Sequence, residues 1–353
     1  MQKIVSSQLL LVTRRWGQRG AHSDIDHFLS FFPGAHVVCS EHGWKRPYAM
    51  LKQISKLAGQ DGYTSYSAGI ELVAMIKALR YRPKVMHFWY AEHDYHFAWL
   101  AARLIGAKLV GNFFFSVEEL ERRIPNKHHL RHLDLITSSG KRQMEYLRKV
   151  LGPEKVAYLP LGVDTGFFVP SFQDNPNPAK HPILLHVGEN RRDIVTLKQV
   201  FLKLQQQFPK TQLEMVGGDF ARRRFTGINS VTFHPFLDDE DLLQVYQRAD
   251  LLLLPLLEGG SSQTLNEALA TGLPVVTNNL PNLEDYISNS AVFMSPQGDA
   301  ESMANHCAAL LRNRHKLQQA AKSARSHAEQ YDFQHIRTQL LGLYEEYLDF
   351  SVV

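Results

Sequence analysis

Leu251-Leu252-Leu253-Leu254-Pro255-Leu256-Leu257-Glu258-Gly259-Gly260-Ser261-Ser262-Gln263-Thr264-Leu265-Asn266-Glu267-Ala268-Leu269-Ala270-Thr271-Gly272-Leu273-Pro274-Val275-Val276 is a strand, a loop, a short helix and the start of a second strand in one stretch. The unbroken leucine run suits a strand buried on both faces, and the glycines and serines after it open a loop. Gly272 stops the helix and Pro274 begins the next strand. Backbone N–H groups from Gly259 to Thr264 fall at the positive end of that helix, an anion site suited to a diphosphate. Glu267, one turn inside, is placed to accept hydrogen bonds from the two hydroxyls of a ribose. Thr264-x-x-Glu267 is equally a capping-box pattern, in which Glu267 only closes its own helix.

Working outward, short apolar runs alternate with amphipathic stretches, the pattern of parallel sheets covered by helices. Strands are expected at 8–12, 35–39, 84–88, 108–115, 133–137 and 156–159, then at 183–187, 212–216, 230–233, 251–254, 274–277 and 291–294. Each set makes a doubly wound sheet. Between them, Val169 to Pro178 holds three prolines and continues neither helix nor strand. The expected organisation is a first α/β domain over 1–168, a linker over 169–181 and a second Rossmann-like domain over 182–332. A helix over 333–353, with Leu340, Leu343, Tyr344 and Tyr347 at helical spacing, is expected to return to the first domain.

The chain has 353 residues, 44% apolar and 21% charged, which excludes a disordered chain or a coiled coil. Cys39 and Cys307 are the two cysteines, so neither a disulfide framework nor a thiolate metal site is expected. No apolar run approaches the roughly 18 residues of a membrane span. Arg14 and Arg15 after the first apolar run, with no small-residue cleavage site, argue against a signal peptide, and a soluble cytoplasmic protein is the expectation. Neither half carries Gly-x-Gly-x-x-Gly, and no Walker sequence occurs, so a dinucleotide or NTP fingerprint does not hold the ligand.

The segment Ala268-Leu-Ala270-Thr-Gly272-Leu-Pro274-Val-Val resembles the end of the signature of retaining glycosyltransferases of family 4, whose architecture is GT-B. Leu159-Pro160-Leu161-Gly162-Val163-Asp164, His186-Val187-Gly188-Glu189-Asn190-Arg191-Arg192-Asp193 and the stretch from Val231 to Asp250, which includes Phe236, are similar to other parts of the family pattern in the same order. The resemblance implies two Rossmann-like domains facing a cleft, and transfer of a sugar from a nucleotide-diphosphate sugar to an acceptor hydroxyl with retention. It assigns catalysis to Arg192, Glu258, Gly259 and Gly260, and donor binding to Gly188, Glu189, Arg192, Phe236, Ser261, Ser262, Gln263, Thr264 and Glu267. Two departures stand out. Eight residues separate Glu258 from Glu267 where the family has seven, so either the loop bulges or Gly259 takes the first glutamate's place. Phe113-Phe114-Phe115-Ser116 stands where relatives often carry histidine-glycine.

Arg192 is the expected grip on the diphosphate because a guanidinium fork matches phosphate oxygens, with Lys198 a second candidate. Trp16 and Gly20 follow the first strand, and Gly20 is expected to admit the donor phosphates closely. His93, Asp94 and His96 follow the strand at 84–88, where ligands enter such a sheet, and Trp16, His93, Asp94 and His96 are the expected acceptor residues. No cofactor and no metal is expected: the His93-Asp94-Tyr95-His96 and His128-His129-x-x-His132 clusters do not match His-Glu-x-x-His. Competing readings are a GT-B hydrolase or epimerase and a non-catalytic nucleotide-sugar binding protein. The base, sugar and acceptor stay open, the acceptor being a glycan, a glycolipid or a small molecule, and nucleic acid is not an expected partner.

Residues 1–170 hold 23 Lys and Arg against 14 Asp and Glu, and the remainder 16 against 21. The basic half is either a solvated face or a surface for an anionic membrane or acceptor, with Arg122, Arg123, Lys127, Arg131, Lys141 and Arg142 its expected contacts. That contact would place the protein at the inner face of the membrane.

Overall fold

The structure is a computed structural model and describes all residues except 1, 16–19, 23–24, 40–47, 172–180, 236, 282, 284, 286, 288–289 and 353. Fourteen strands are described: β1 (Gln2–Ile4), β2 (Leu9–Val12), β3 (His36–Val38), β4 (Val85–Phe88), β5 (Lys108–Phe113), β6 (Leu135–Ser138), β7 (Val156–Tyr158), β8 (Ile183–Val187), β9 (Gln212–Val216), β10 (Val231–His234), β11 (Leu251–Leu254), β12 (Val275–Asn278), β13 (Val292–Ser295) and β14 (Phe350–Val352). Between them lie α1 (Ile25–Ser30), α2 (Tyr48–Ala58), α3 (Ser65–Tyr81), α4 (Ala91–Asp94), α5 (Trp99–Ile105), α6 (Val117–Arg123) and α7 (Lys141–Leu151) in the first half. The second half adds α8 (Ile194–Gln207), α9 (Asp219–Arg224), α10 (Asp239–Arg248), α11 (Gln263–Ala270), α12 (Ala300–Arg312), α13 (Arg314–Ala328) and α14 (Phe333–Leu348).

The chain divides into two compact units, one of residues 1–17, 24–160 and 334–353, the other of 18–23 and 161–333. Each contains a six-stranded, all-parallel sheet, ordered β3-β2-β4-β5-β6-β7 in the first and β10-β9-β8-β11-β12-β13 in the second. Both are the doubly wound sheets expected, and the two-domain fold is of the GT-B type. In each, strand order reverses beside the first strand of the sheet, at β2/β4 and at β8/β11, and ligands of such sheets bind outside the carboxyl ends at that point.

The leucine run shows why these sequences make these strands. Leu251 and Leu253 enter the core on one face of the second sheet and Leu252 and Leu254 the core on the other, so no position tolerates a polar residue. Each such side chain contributes about 1.5–3 kcal/mol on burial. In the first unit Leu10, Met86, Phe88 and Leu109 enter one shared core.

The expected return of the last helix to the first unit is present, but α14 ends at Leu348 and the chain continues as the strand β14, so the helix does not run to 353 as expected. Tyr344 on α14 donates its hydroxyl proton to Nδ1 of His87 (2.6 Å), whose Nε2 N–H donates to Asn112 Oδ1 (2.8 Å). Burial pushes the His87 pKa down to about 4, so the ring is neutral and this network spans α14, β4 and β5 without a charge. One pairing had no sequence expectation: β1 and β14 form a small parallel sheet that joins the two ends of the chain.

The division between units falls at Pro160 and Leu161, whereas the composition pointed to 168 and a linker from 169. Residues 161–168 pack into the second unit. Val163 exchanges backbone hydrogen bonds with Tyr331 and Phe333, Phe168 is buried edge-on to Tyr246, and Arg325 donates to the carbonyls of Thr165, Phe168 and Ala270. Proline content marks where structure cannot continue, and it does not show which core claims the residues before it.

Candidate functional site

At the reversal point of the second sheet, two loops are laced together. Asp193 N–H donates to the Pro255 carbonyl (2.9 Å) and Leu257 N–H to the Arg191 carbonyl (2.8 Å), with Arg191 held in a left-handed conformation at φ 60°. Arg192, half-buried, donates from Nε to the Val187 carbonyl (3.0 Å), from Nη1 to the Asn190 carbonyl (3.3 Å) and from Nη2 to Thr264 Oγ1 (3.1 Å). The guanidinium therefore lies across Gly188, where a Cβ would come within 3.1 Å of it, and reaches the first turn of α11. Three neutral acceptors fix its plane in advance of any ligand, which is the preorganisation that makes a cation useful against developing negative charge.

The helix start differs from the capping-box alternative. Ser262 is the N-cap and accepts from Leu265 N–H, while Thr264 lies inside the first turn. Glu267 is thus too far along α11 to close it. Its buried carboxylate instead accepts from the Tyr246 hydroxyl at 2.9 Å. Burial, and then the Glu267 charge, raise the Tyr246 pKa well above its ordinary value, which keeps the proton on the phenol. Tyr246 and Asn278 carried no sequence expectation. Asn278 clamps the loop by accepting from Leu256 N–H (2.7 Å) and donating to the Leu256 carbonyl (2.8 Å). A buried polar residue at a strand end is the signal that could have flagged Asn278.

The loop between β11 and α11 accounts for its glycines. A Cβ on Gly259 would fall 1.9 Å from the Pro281 carbonyl oxygen, so no side chain fits there, and Gly260 has φ 146°. Glu258 precedes this constriction. Its side chain is 44% exposed and pairs with Arg191 Nε at 3.6 Å.

Other expected donor residues have different neighbours. Glu189 accepts from Ala221 N–H (3.1 Å) at the start of α9, and Lys198 Nζ donates to the Arg224 carbonyl (2.7 Å). The space next to Gly20, expected to admit phosphates, is filled by Asp239: a Cβ would lie 1.9 Å from its Oδ1, and His22 N–H donates to Oδ2 at 2.8 Å. A carboxylate there repels phosphate, so Gly20 is corrected to a contact with α10. Trp16 and Phe236 lie outside the described residues.

At the reversal point of the first sheet, Asp94 is fully buried and both its oxygens take Arg14, Nη2 to Oδ1 at 2.5 Å and Nε to Oδ2 at 3.3 Å, with Arg14 also donating to Ser67 Oγ. A carboxylate is carried inside only with a cation against it, and that pairing removes Asp94 from the expected acceptor residues. His96 stacks on His129 (4.4 Å between centroids), and burial pushes its pKa down to about 4. His93 is half-buried, edge-on to Phe115 at 4.9 Å. The sequence reading missed Glu92, which is buried and accepts from Phe114 N–H (3.0 Å) through Oε1, while Oε2 has no hydrogen-bond partner among the described residues. Burial first, then the charges of Asp94 and Glu119, push its pKa up to about 8. Of the expected basic contacts, Arg122 and Arg123 approach Glu119 and Arg142 pairs with Glu118.

Residues 181–313 match the family described as glycosyl transferases group 1. Over 201 residues the chain is 28% identical to the sulfoquinovosyl transferase SQD2 of Arabidopsis thaliana; the match covers 51% of this chain and 38% of that protein, so the chain matches well under half the length of that relative. Three solved structures share the fold. A glycosyltransferase from Rickettsia africae has a TM-score of 0.71 at 14% identity, covering 99% of both chains. Sucrose-phosphate synthase from Thermosynechococcus elongatus has a TM-score of 0.65 at 19% identity, covering 90% of this chain and 84% of that one. The Anabaena protein HepE, crystallised with UDP and glucose, has a TM-score of 0.65 at 16% identity over 94% of this chain and 98% of that one.

Proposed function

We propose that the protein is a glycosyltransferase that moves a sugar from a nucleotide-diphosphate sugar to an acceptor hydroxyl, with retention, in glycan or glycolipid synthesis. The observation that carries the reading is Arg192 oriented by two carbonyls and Thr264 at the start of α11, where the order of the second sheet reverses and within the segment matched to the transferase family. A fixed guanidinium and helix-end amides converge on one spot, which suits a diphosphate that gains charge as it leaves.

In the proposed reaction the bond between the anomeric carbon and the β-phosphate oxygen breaks and the diphosphate departs with the electron pair. The acceptor oxygen bonds to the same face of that carbon and gives its proton to the leaving phosphate. Arg192 and the amides of the Gly260–Thr264 segment balance the growing charge, Glu267 takes the ribose hydroxyls with Tyr246 fixing its carboxylate, and Glu258 faces the sugar. The first unit is the acceptor side, with His93 and His96 its candidate contacts. A UDP-sugar is the first donor to try, since HepE was crystallised with UDP and glucose. Independence from divalent metal and a cytoplasmic location belong to the same proposal; among the described residues no helix is long and apolar enough to cross a membrane.

The test is turnover of a panel of nucleotide sugars with and without added acceptors and chelator. Sugar transfer that survives chelation is expected. Release of free sugar alone, or binding without turnover, would replace the transferase reading, and a loss restored by Mn²⁺ would end the metal-free part. Glu267→Gln keeps an oxygen for Tyr246 but removes the charge, so the donor Kd should rise about tenfold with little change in melting temperature.

A further inference from the structure

Residues 161–169 follow an irregular path through the second unit, with one bridge from Val163 to Asp332. Carbonyls outside a helix or a sheet ladder need other donors, and here side chains supply them. Asn266 Nδ2 on α11 donates to the Leu161 carbonyl (2.9 Å) and Gln247 Nε2 on α10 to the Val169 carbonyl (2.9 Å). Arg325 on α13 donates to the Thr165 and Phe168 carbonyls (3.1 and 2.9 Å) and also to that of Ala270, the last residue of α11 (2.9 Å). Three helices are therefore tied to one stretch of backbone.

Two of these anchors are chain neighbours of the residues that meet at the candidate site. Asn266 precedes Glu267 on α11, Gln247 follows Tyr246 on α10, and the Tyr246 hydroxyl donates to Glu267 at 2.9 Å. Successive residues of a helix point about 100° apart, so a bond made by Asn266 fixes how α11 is turned about its axis and with it the direction of Glu267. The bond from Gln247 does the same for Tyr246. Phe168, from the same stretch, packs edge-on to the Tyr246 ring at 6.1 Å. A hydrogen bond weakens steeply when its angle is lost, and both helices that carry this one are set against a common template.

We propose that residues 161–169 are the template that aims Glu267 at the ribose hydroxyls of the donor, with Asn266 and Gln247 as positioning residues. The inference rests on the reading of Glu267 as the ribose acceptor and adds the groups through which its aim is set. Neither amide touches the nucleotide in this scheme. Their loss therefore weakens recognition of the ribose and leaves the contacts to the base and the diphosphate in place.

The experiment is calorimetric titration of the full chain with UDP, GDP and ADP, and with the 2′-deoxy form of each. For whichever base binds, the native protein should prefer the ribose form by about tenfold or more, as a hydrogen bond to a charged group does, and Glu267→Gln should abolish most of that preference. Asn266→Leu and Gln247→Leu, which keep bulk and remove the donor, should each cut the preference to about threefold by weakening the ribose form while the Kd of the deoxy form stays unchanged. Asp299→Ala removes the N-cap of α12, away from the template, and should lower the melting temperature without moving the preference. Gln247 is half-buried, so its variant decides the matter alone should Asn266→Leu fail to fold. A preference lost with Glu267→Gln but intact in the folded amide variants, or an equal loss of both nucleotide forms in those variants, overturns the proposal. No preference in the native protein, or no binding of any of these nucleotides, ends the reading of Glu267 on which it rests.

Discussion

Arg14 and Arg192 occupy the same topological place, the turn after the first strand of a doubly wound sheet, and the two units use them differently. Arg14 is buried and holds both oxygens of a fully buried carboxylate, Asp94. Arg192 is half-buried and is oriented by two carbonyls and a hydroxyl. A turn at a sheet reversal is thus not by itself a binding site. The described bonds differ: Arg14 is committed to both oxygens of a buried carboxylate, whereas Arg192 bonds two carbonyls and a hydroxyl beside a helix start.

The largest effect should come from breaking the buried pair. Arg14→Ala leaves Asp94 inside without its cation and should cost about 3–5 kcal/mol in urea unfolding. The double variant Arg14→Ala with Asp94→Ala should recover part of that loss, and no recovery would mean that Arg14 acts through Ser67 or packing.

Arg192→Ala should leave stability nearly intact and lower kcat by about 10²–10³, or roughly 2.7–4 kcal/mol, more than it weakens donor binding. Steady-state kinetics with the true donor checks this. A variant that melts early with unchanged kcat would make Arg192 the second unit's equivalent of Arg14.

Glu92 sharpens the contrast by pH. Its folded pKa of about 8 lies above the ordinary 4.5, so the favourable contribution of the protonated acid is complete below about pH 4.5 and is lost as pH rises through 8. Glu92→Gln should therefore match the native protein near pH 4 and be more stable by about 2–3 kcal/mol near neutral pH. Thermal unfolding across that range reads the difference, and a constant offset at every pH would show that the carboxyl does not titrate as its burial requires.

Arg191→Ala should have the smallest effect. Its partner Glu258 is 44% exposed and the pair is 3.6 Å apart, so about 1 kcal/mol or less, under tenfold in kcat/KM, is expected. A larger loss would show that Arg191 positions Glu258 at the sugar.

Much of the fold was legible because a strand buried on both faces leaves no freedom of composition: Leu251–Leu254 faces two cores at once, and the runs at Leu9–Val12 and Val85–Phe88 are as deeply buried. The helix at Gln263–Ala270 was legible from its glycines and from Gly272. Its cap was not, since Thr264-x-x-Glu267 and the Ser262 cap are both good patterns and only the backbone selects between them. Gly259 was conspicuous, yet its reason is the carbonyl of Pro281, which sequence distance conceals.

The sequence by itself determined the alternation of strands and helices, the two doubly wound sheets, the return of the last helix and the loop beside α11, because local apolar periodicity and turn chemistry specify these within a short window. Tertiary structure alone decided that Asp94 answers Arg14, that Asp239 takes the space beside Gly20, that Tyr246 meets Glu267 and that β1 pairs with β14. Each is an encounter between residues far apart in the chain, where a charge, a hydroxyl or a backbone edge must find a partner once water is excluded, and no window of sequence contains both halves of such a pair.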